Sequence, residues 1–292
     1  MYFQDINPLN YYYFYIPMDK EFNKIVDLYL QANIILPDQW WEDKKAEFIF
    51  NSNKLEGNRL KLADTYSIIN DKMSFTTEVQ FKDVLEVKGH IKALDTCIFM
   101  AKNKYPLSIK IIKTFNENLL SALWKFDEYY TNYKSQKQEL GAFKVINNSI
   151  KFLLDGKEGV IEPFSNSHTI EKNMIAELDE NLKIAHVLEQ SAHLAFQIWA
   201  NQPFCDGNKR TARLLVVYLL MLQGLPLITF KAEGCHFNEG LLRSHQQKSL
   251  LPLITVISTE VKQQLTEIIE LDKKLKINKI PPTLGFGSSL LF

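Results

Sequence analysis

The chain is poor in the features that mark secreted, membrane or nucleic-acid-binding proteins. Only three cysteines occur in 292 residues, Cys97, Cys205 and Cys235, and none forms a C-x-x-C pair. That excludes a disulfide framework or a cysteine zinc knuckle and fits a reducing, cytoplasmic compartment. Net charge is absent, because 34 basic side chains balance 34 acidic ones. Bulk electrostatic capture of nucleic acid is therefore not indicated. Glycine and proline are sparse, and neither a low-complexity block nor an internal repeat is present. The longest apolar run, Leu214 to Leu222, is too short to span a bilayer. The stretch Met1 to Pro17 has no basic segment leading into an apolar one, so it does not read as a signal peptide.

What is present is mostly helical periodicity. Phe22, Ile25, Val26, Leu28, Leu30 and Ile34 form an apolar stripe ended by Pro37. Pro37-Asp38 starts a second helix that Gly57 stops. A third is expected from Thr76, where Thr76/Thr77 with Gln80 suggest a capping box, to about Asn103. A fourth follows Pro106. Between Phe143 and Ile161, runs rich in Val, Ile and Phe flank the turn signal Asp155 to Gly159, which predicts a β-hairpin. Helices resume over 170–182 and 183–200. After a loop at Pro203 and Gly207, the segment from Asn208 to Gly224 is apolar nearly all round and is expected to be the buried central helix. Two more are expected, over 238–248 and 252–275. The expected organisation is an N-terminal helical extension (1–75), a core with C-terminal helices (76–275) and an extended tail (276–292). The aromatic run Tyr11 to Pro17 reads either as an interface, which would make the chain a homodimer, or as a cover for the core.

Chemistry concentrates at Asp206-Gly207-Asn208-Lys209-Arg210-Thr211-Ala212-Arg213. The first N–H groups of a helix lack intrahelical partners, and the dipole there is positive. Gly207 permits a close backbone approach, and Asn208 suits the N-cap. Lys209, Arg210 and Arg213 oppose the dipole unless an anion lies between them. Asp206 is suited to Mg²⁺, which binds through one carboxylate plus substrate phosphates. The plain alternative is a solvated helix start with surface ion pairs.

Gln202 to Arg213 resembles the signature of the Fic (Fido) family, H-x-F-x-(D/E)-G-N-(G/K)-R-x-x-R, at every position but the first. The resemblance runs from about Val79 to Leu271. It implies a mainly helical, all-α Fic fold with a small β-hairpin flap, and transfer of AMP from ATP to a hydroxyl of a target protein. By that resemblance Asp206 holds Mg²⁺, the amides of Gly207, Asn208 and Lys209 form an anion nest, and Arg210 and Arg213 hold phosphates. Phe204 anchors the loop. The hairpin, beginning at Phe143, Lys144, Val145 and Ile146, clamps the target by strand addition. Ser52 to Gly57 resembles the family's inhibitory motif (S/T)-x-x-x-E-(G/N), which implies that Ser52, Glu56 and Gly57 form a brake in which Glu56 pairs with Arg213. Taken alone, this stretch is a helix end with Gly57 as its cap.

The departure is Gln202. In active members a histidine there takes the proton of the attacking hydroxyl, and glutamine has no titrating proton. General-base catalysis contributes about 10²–10⁴-fold. Of the six histidines, His193 lies on the preceding helix and reads as a core or helix-face residue, while His168 follows the hairpin. Lys209 resembles relatives that act as phosphotransferases. The expectation is an ATP and Mg²⁺ site weakened or inactive in AMP transfer. The alternatives are an active transferase or phosphotransferase using another base, and a ligand-free helical interaction module.

Overall fold

The computed structural model describes residues 19–72, 79–154, 157–234 and 236–278. Among these residues the chain forms eleven α-helices and one two-stranded hairpin. The helix α9 (Asn208–Leu222) is the axis of the fold: every residue from Leu214 to Leu220 is buried. A helix apolar on all sides is stable only when neighbours surround it. Here α4 (Phe81–Lys102), α5 (Ile109–Phe126) and α8 (Val187–Asn201) pack against it. The α4–α5 crossing depends on Gly89, because a Cβ there would lie 2.1 Å from the Leu119 carbonyl oxygen. Ser108 caps α5 by accepting from the Ile111 amide at 3.3 Å.

The N-terminal helices close the assembly. Asp19 caps α1 (Lys20–Ala32), accepting from the Phe22 amide at 3.0 Å. Lys262 of α11 (Leu251–Asn278) donates to the other Asp19 oxygen at 3.1 Å, so the cap also docks α1 on the C-terminal helix. The next helix, α2 (Asp38–Lys54), packs on α4 and reaches α9, which brings its C-terminal end to the start of the central helix. The shorter helices are α3 (Leu62–Ile69), α6 (Thr131–Ser135), α7 (Ile170–Asn181) and α10 (His236–Gln247).

Several boundaries differ from the sequence expectation. The capping box at Thr76/Thr77 falls in 73–78, outside the described residues, and the helix is seen from Phe81 with Gln80 as its cap. The helix α3 was not expected; the Asp64 carboxylate accepts from the Lys61 amide at 3.0 Å to start it. The hairpin is shorter than 143–161. Strand β1 (Ile150–Leu154) pairs antiparallel with β2 (Lys157–Ile161), Ile150 opposite Ile161; positions 155 and 156 lie outside the described residues. Phe143, Lys144, Val145 and Ile146 are therefore not strand residues. Their polar groups are taken by other partners: the Lys144 amide donates to the Pro203 oxygen at 2.8 Å, and the Val145 amide donates to Gln138 Oε1 at 2.8 Å. The tail is helical to Asn278; 279–292 and Tyr11 to Pro17 are outside the described residues. No helix among the described residues is long and apolar enough to cross a membrane.

Candidate nucleotide-phosphate site

The site begins where α8 ends. Gln202 turns the chain in the left-handed region (φ 46°, ψ 60°), and Gly207 turns it again (φ 76°) into α9. Gly207 is close-packed as well: a Cβ would lie 3.1 Å from both Asn116 Nδ2 and Leu119 Cδ2. From α5, Asn116 donates to the Asp206 carbonyl at 2.9 Å and to Thr211 Oγ1 at 3.2 Å, fixing the loop from below.

Asn208 is not the N-cap. Gly207 occupies that position, and Asn208 is the first helical residue, with its side chain folded back over the loop. Its Oδ1 accepts from the Phe204 amide at 2.9 Å, and its Nδ2 donates to the Phe204 oxygen at 2.9 Å and to Gln202 Oε1 at 3.0 Å. Gln202 Nε2 donates to the Trp199 oxygen at 2.7 Å, so the two ends of that amide tie the end of α8 to the start of α9. Phe204 is fully buried, 5.7 Å from the Phe143 ring. Lys144 is buried beside it and donates to the Asn201 oxygen at 3.0 Å and Asn148 Oδ1 at 2.9 Å; burial pushes its ammonium down to about 8.

The amides at the helix start are unequal. The Gly207 N–H is taken by Asp206 Oδ1 at 2.5 Å. Those of Asn208, Lys209 and Arg210 meet no acceptor among the described residues, as expected for a helix first turn. The open nest is thus displaced one residue along from Gly207, Asn208 and Lys209. It borders a cavity of about 410 Å³ between this turn, Glu56 and the start of β1.

Arg210 and Arg213 sit in different surroundings. Arg213 is completely buried and makes four hydrogen bonds: Nε to Ser52 Oγ (2.8 Å), Nη2 to the Ser52 oxygen (2.9 Å) and Glu56 Oε1 (2.8 Å), and Nη1 to Asn238 Oδ1 (3.2 Å). Glu56 also reaches Lys209 Nζ, 3.3 Å from its Oε2. Burial would raise the Glu56 carboxyl, but the charges of Arg213, Lys209 and Arg210 overcome this and hold it below its ordinary value. Gly57, just after it, is in the left-handed region (φ 91°). Arg210 is also buried, yet its Nε and Nη1 have no hydrogen-bond partner among the described residues. Its counter-charges, Glu86 and Asp206, each stand 3.7 Å away.

Four of these partners carry no local signal in the sequence. They are Asn116, Glu86, Asn238 and Tyr130, whose hydroxyl donates to Asp206 Oδ2 at 2.6 Å. Among the described residues, no histidine lines the cavity. His193 is buried between α8 and α7, with Asn181 Nδ2 at 3.2 Å and Glu177 Oε2 at 3.5 Å; burial pushes its imidazole down to about 4. His168 is exposed on the loop before α7. Burial pushes the Cys205 thiol at the cavity wall up to about 12, which argues against a thiolate nucleophile.

Asp206 is the site's metal-ligand candidate. Its carboxylate is 38% exposed at the cavity wall. No cluster of three or more metal-ligating side chains occurs among the described residues. A single carboxylate beside an open anion nest fits Mg²⁺ that arrives with phosphate oxygens rather than a metal held by protein alone.

Residues 106–220, from the start of α5 through most of α9, match the family model for the Fic/DOC family. That segment, less than half of the chain, resembles the Fic/DOC family. Over 217 residues it is 25% identical to a protein named protein adenylyltransferase Fic from Nematostella vectensis, covering 74% of this chain and 47% of that one. It is 23% identical over 190 residues to protein adenylyltransferase fic-1 of Caenorhabditis briggsae, covering 64% and 34%. The chain thus spans less than half the length of these Fic relatives. Its fold resembles the crystal structure of a Fic-domain-containing signaling protein from Bacteroides thetaiotaomicron, with a TM-score of 0.72, 23% identity, and coverage of 87% of this chain and 98% of that one. It also resembles Fic-1 of C. elegans, with a TM-score of 0.67, 20% identity, and coverage of 88% and 73%. The mainly helical Fic fold with its small hairpin is the one described above.

Proposed function

We propose that this Fic-like protein binds ATP with Mg²⁺ at the start of α9, in a site of the protein-adenylyltransferase type that is weak or inactive in AMP transfer. The supporting observation is Arg210: a buried guanidinium with two unpartnered donor atoms beside three free amides at the wall of an open cavity. Buried donors without acceptors are destabilising in isolation, and a phosphate would satisfy them. Asp206 would hold Mg²⁺, which would supply positive charge against the phosphate oxygens. Asn208, Lys209 and Arg210 would bind the phosphate through their amides, and Lys209 and Arg210 through their side chains. Arg213 becomes available only when Glu56 and Ser52 release it, which makes that contact a brake on phosphate seating. A target segment would dock along β1, whose start lines the same cavity.

Weak transfer follows from Gln202. Its amide is committed to Trp199 and Asn208, and it cannot accept a hydroxyl proton. Calorimetric titration of the chain with ATP and Mg²⁺ tests the binding claim: heat of binding is expected for the native chain and not for Arg210→Ala. Absence of binding by the native chain would sink it. Radiolabelled AMP transfer tests the rest. The native chain and Glu56→Gly should label protein poorly, and Glu56→Gly combined with Gln202→His should gain about 10²–10⁴-fold. Equal labelling by the single and double variants would instead favour an active transferase with another base.

A further inference from the structure

The hydroxyl of Tyr130 belongs to none of the roles assigned so far, although it touches the centre of the site. Tyr130 is 1% exposed, in a one-turn 3-10 helix (Glu128–Tyr130) held by Asp127, whose side chain accepts from the Tyr129 amide at 2.9 Å. Its ring packs with Leu85, Leu120 and Leu123 in a small apolar cluster separate from the main core, and lies 5.4 Å from the Trp124 ring. Packing alone would be served by phenylalanine. The hydroxyl instead donates to Asp206 Oδ2 at 2.6 Å, a charge-assisted bond in a half-buried setting.

That bond decides how the carboxylate lies. Asp206 Oδ1 is fixed by the Gly207 amide and Oδ2 by Tyr130, so the plane of the carboxylate is set by two donors on two different elements. Arg210 Nη2 stands 3.7 Å from the same Oδ2, beyond hydrogen-bonding distance. Without the tyrosine hydroxyl, Oδ2 loses its hydrogen bond and the 3.7 Å pair can tighten into direct contact. Direct contact would commit Oδ2 to the guanidinium instead of leaving it for a metal ion.

We infer that Tyr130 is a positioning residue for Asp206, holding its carboxylate in the orientation that receives Mg²⁺ and out of direct hydrogen-bonded contact with Arg210. The inference rests on the Mg²⁺–ATP reading of the site. Donors behind a metal-binding carboxylate typically change metal affinity about 10–100-fold when removed.

The test is a Mg²⁺ titration at fixed ATP, followed by the binding signal of a fluorescent ATP analogue, for the native chain and Tyr130→Phe. The phenylalanine variant should need at least about tenfold more free Mg²⁺ for half-maximal binding, while binding in EDTA stays unchanged. Because Tyr130 acts through Asp206, adding Tyr130→Phe to Asp206→Asn should produce no further loss. An unaltered Mg²⁺ midpoint in Tyr130→Phe, or equal losses with and without Mg²⁺, overturns the inference and leaves nucleotide binding standing. Failure of Tyr130→Phe to fold also overturns it, since the hydroxyl would then serve the fold. A native chain that binds no ATP under any condition removes the reading of the site and this inference with it.

Discussion

Arg210 and Arg213 lie about one turn apart on α9 and are both hidden from solvent, but the protein treats them in opposite ways. Every guanidinium nitrogen of Arg213 is bonded, to Ser52, Glu56 or Asn238, which belong to α2, the turn after it, and α10. Arg210 has acids nearby at 3.7 Å and, among the described residues, no hydrogen bond from Nε or Nη1. A buried cation with every nitrogen bonded is a structural element; one with donors left unpartnered calls for an explanation, and a bound phosphate is the one proposed above. The same contrast separates the two sides of the proposed phosphate site, one occupied by the chain's own carboxylate and one open.

Substitutions at the two arginines should break the comparison most sharply. Replacing Arg213 by methionine removes four hydrogen bonds and leaves Glu56 with Lys209 as its remaining ion-pair partner; breaking a buried pair from one side costs about 3–5 kcal/mol. Arg210→Met breaks no hydrogen bond made by Arg210 Nε or Nη1; it should lower stability by clearly less while abolishing ATP binding. Urea denaturation midpoints, read together with calorimetry, check both, and equal destabilisation would erase the distinction. Next in size is Glu56→Gly. A charge-assisted bond contributes roughly 1.5–3 kcal/mol, and Ser52 and Asn238 still hold Arg213 after Glu56 is gone. ATP affinity should therefore rise by about tenfold, and further when Ser52→Ala is added; no rise in either titration would show that the brake does not act on binding.

The smallest effect is in pH. The Glu56 carboxyl is held below its ordinary value of 4.5 by the surrounding cations. A depressed carboxyl contributes stability that is complete above the unfolded value and is lost as pH falls through the folded one. The stability difference between native chain and Glu56→Gln should be constant from pH 7 to about 5 and shrink below 4.5. A difference that grows in acid would contradict the pairing.

The part of the site that is contiguous in sequence was the part that could be read there. Gly207, Asn208, Lys209 and Arg210 are local, and helix-start physics says what such a turn can bind. The central helix was legible because its apolar residues occupy every face. The hairpin's true start was not, because Val145 and Ile146 are β-prone but the Lys144 and Val145 amides are bound by Pro203 and Gln138, a competition that local propensity does not express. Asn208 was misplaced for a similar reason: as a residue type it suits a cap, but Gly207 turns the chain first and frees the asparagine to tie the loop to Gln202. Tyr130 and Glu86 were invisible, since each reaches the site from a distant position with no motif of its own.

The turn after α2 has one more property. Ser52 and Glu56 grip Arg213, and Asn58, two residues beyond Glu56, donates to the Asp83 oxygen at 3.0 Å and to Glu86 Oε2 at 2.8 Å. Glu86 is in turn a counter-charge of Arg210. The segment 52–58 is therefore latched at both ends, and withdrawing it from Arg213 is a local unfolding event rather than a swing of one side chain. Rotamer changes of exposed groups take picoseconds to nanoseconds, whereas local unfolding takes microseconds to seconds. Engagement of Arg213 by a ligand would thus be slow even when nucleotide arrival is fast, and the amide-exchange rates of 52–58 would set its tempo.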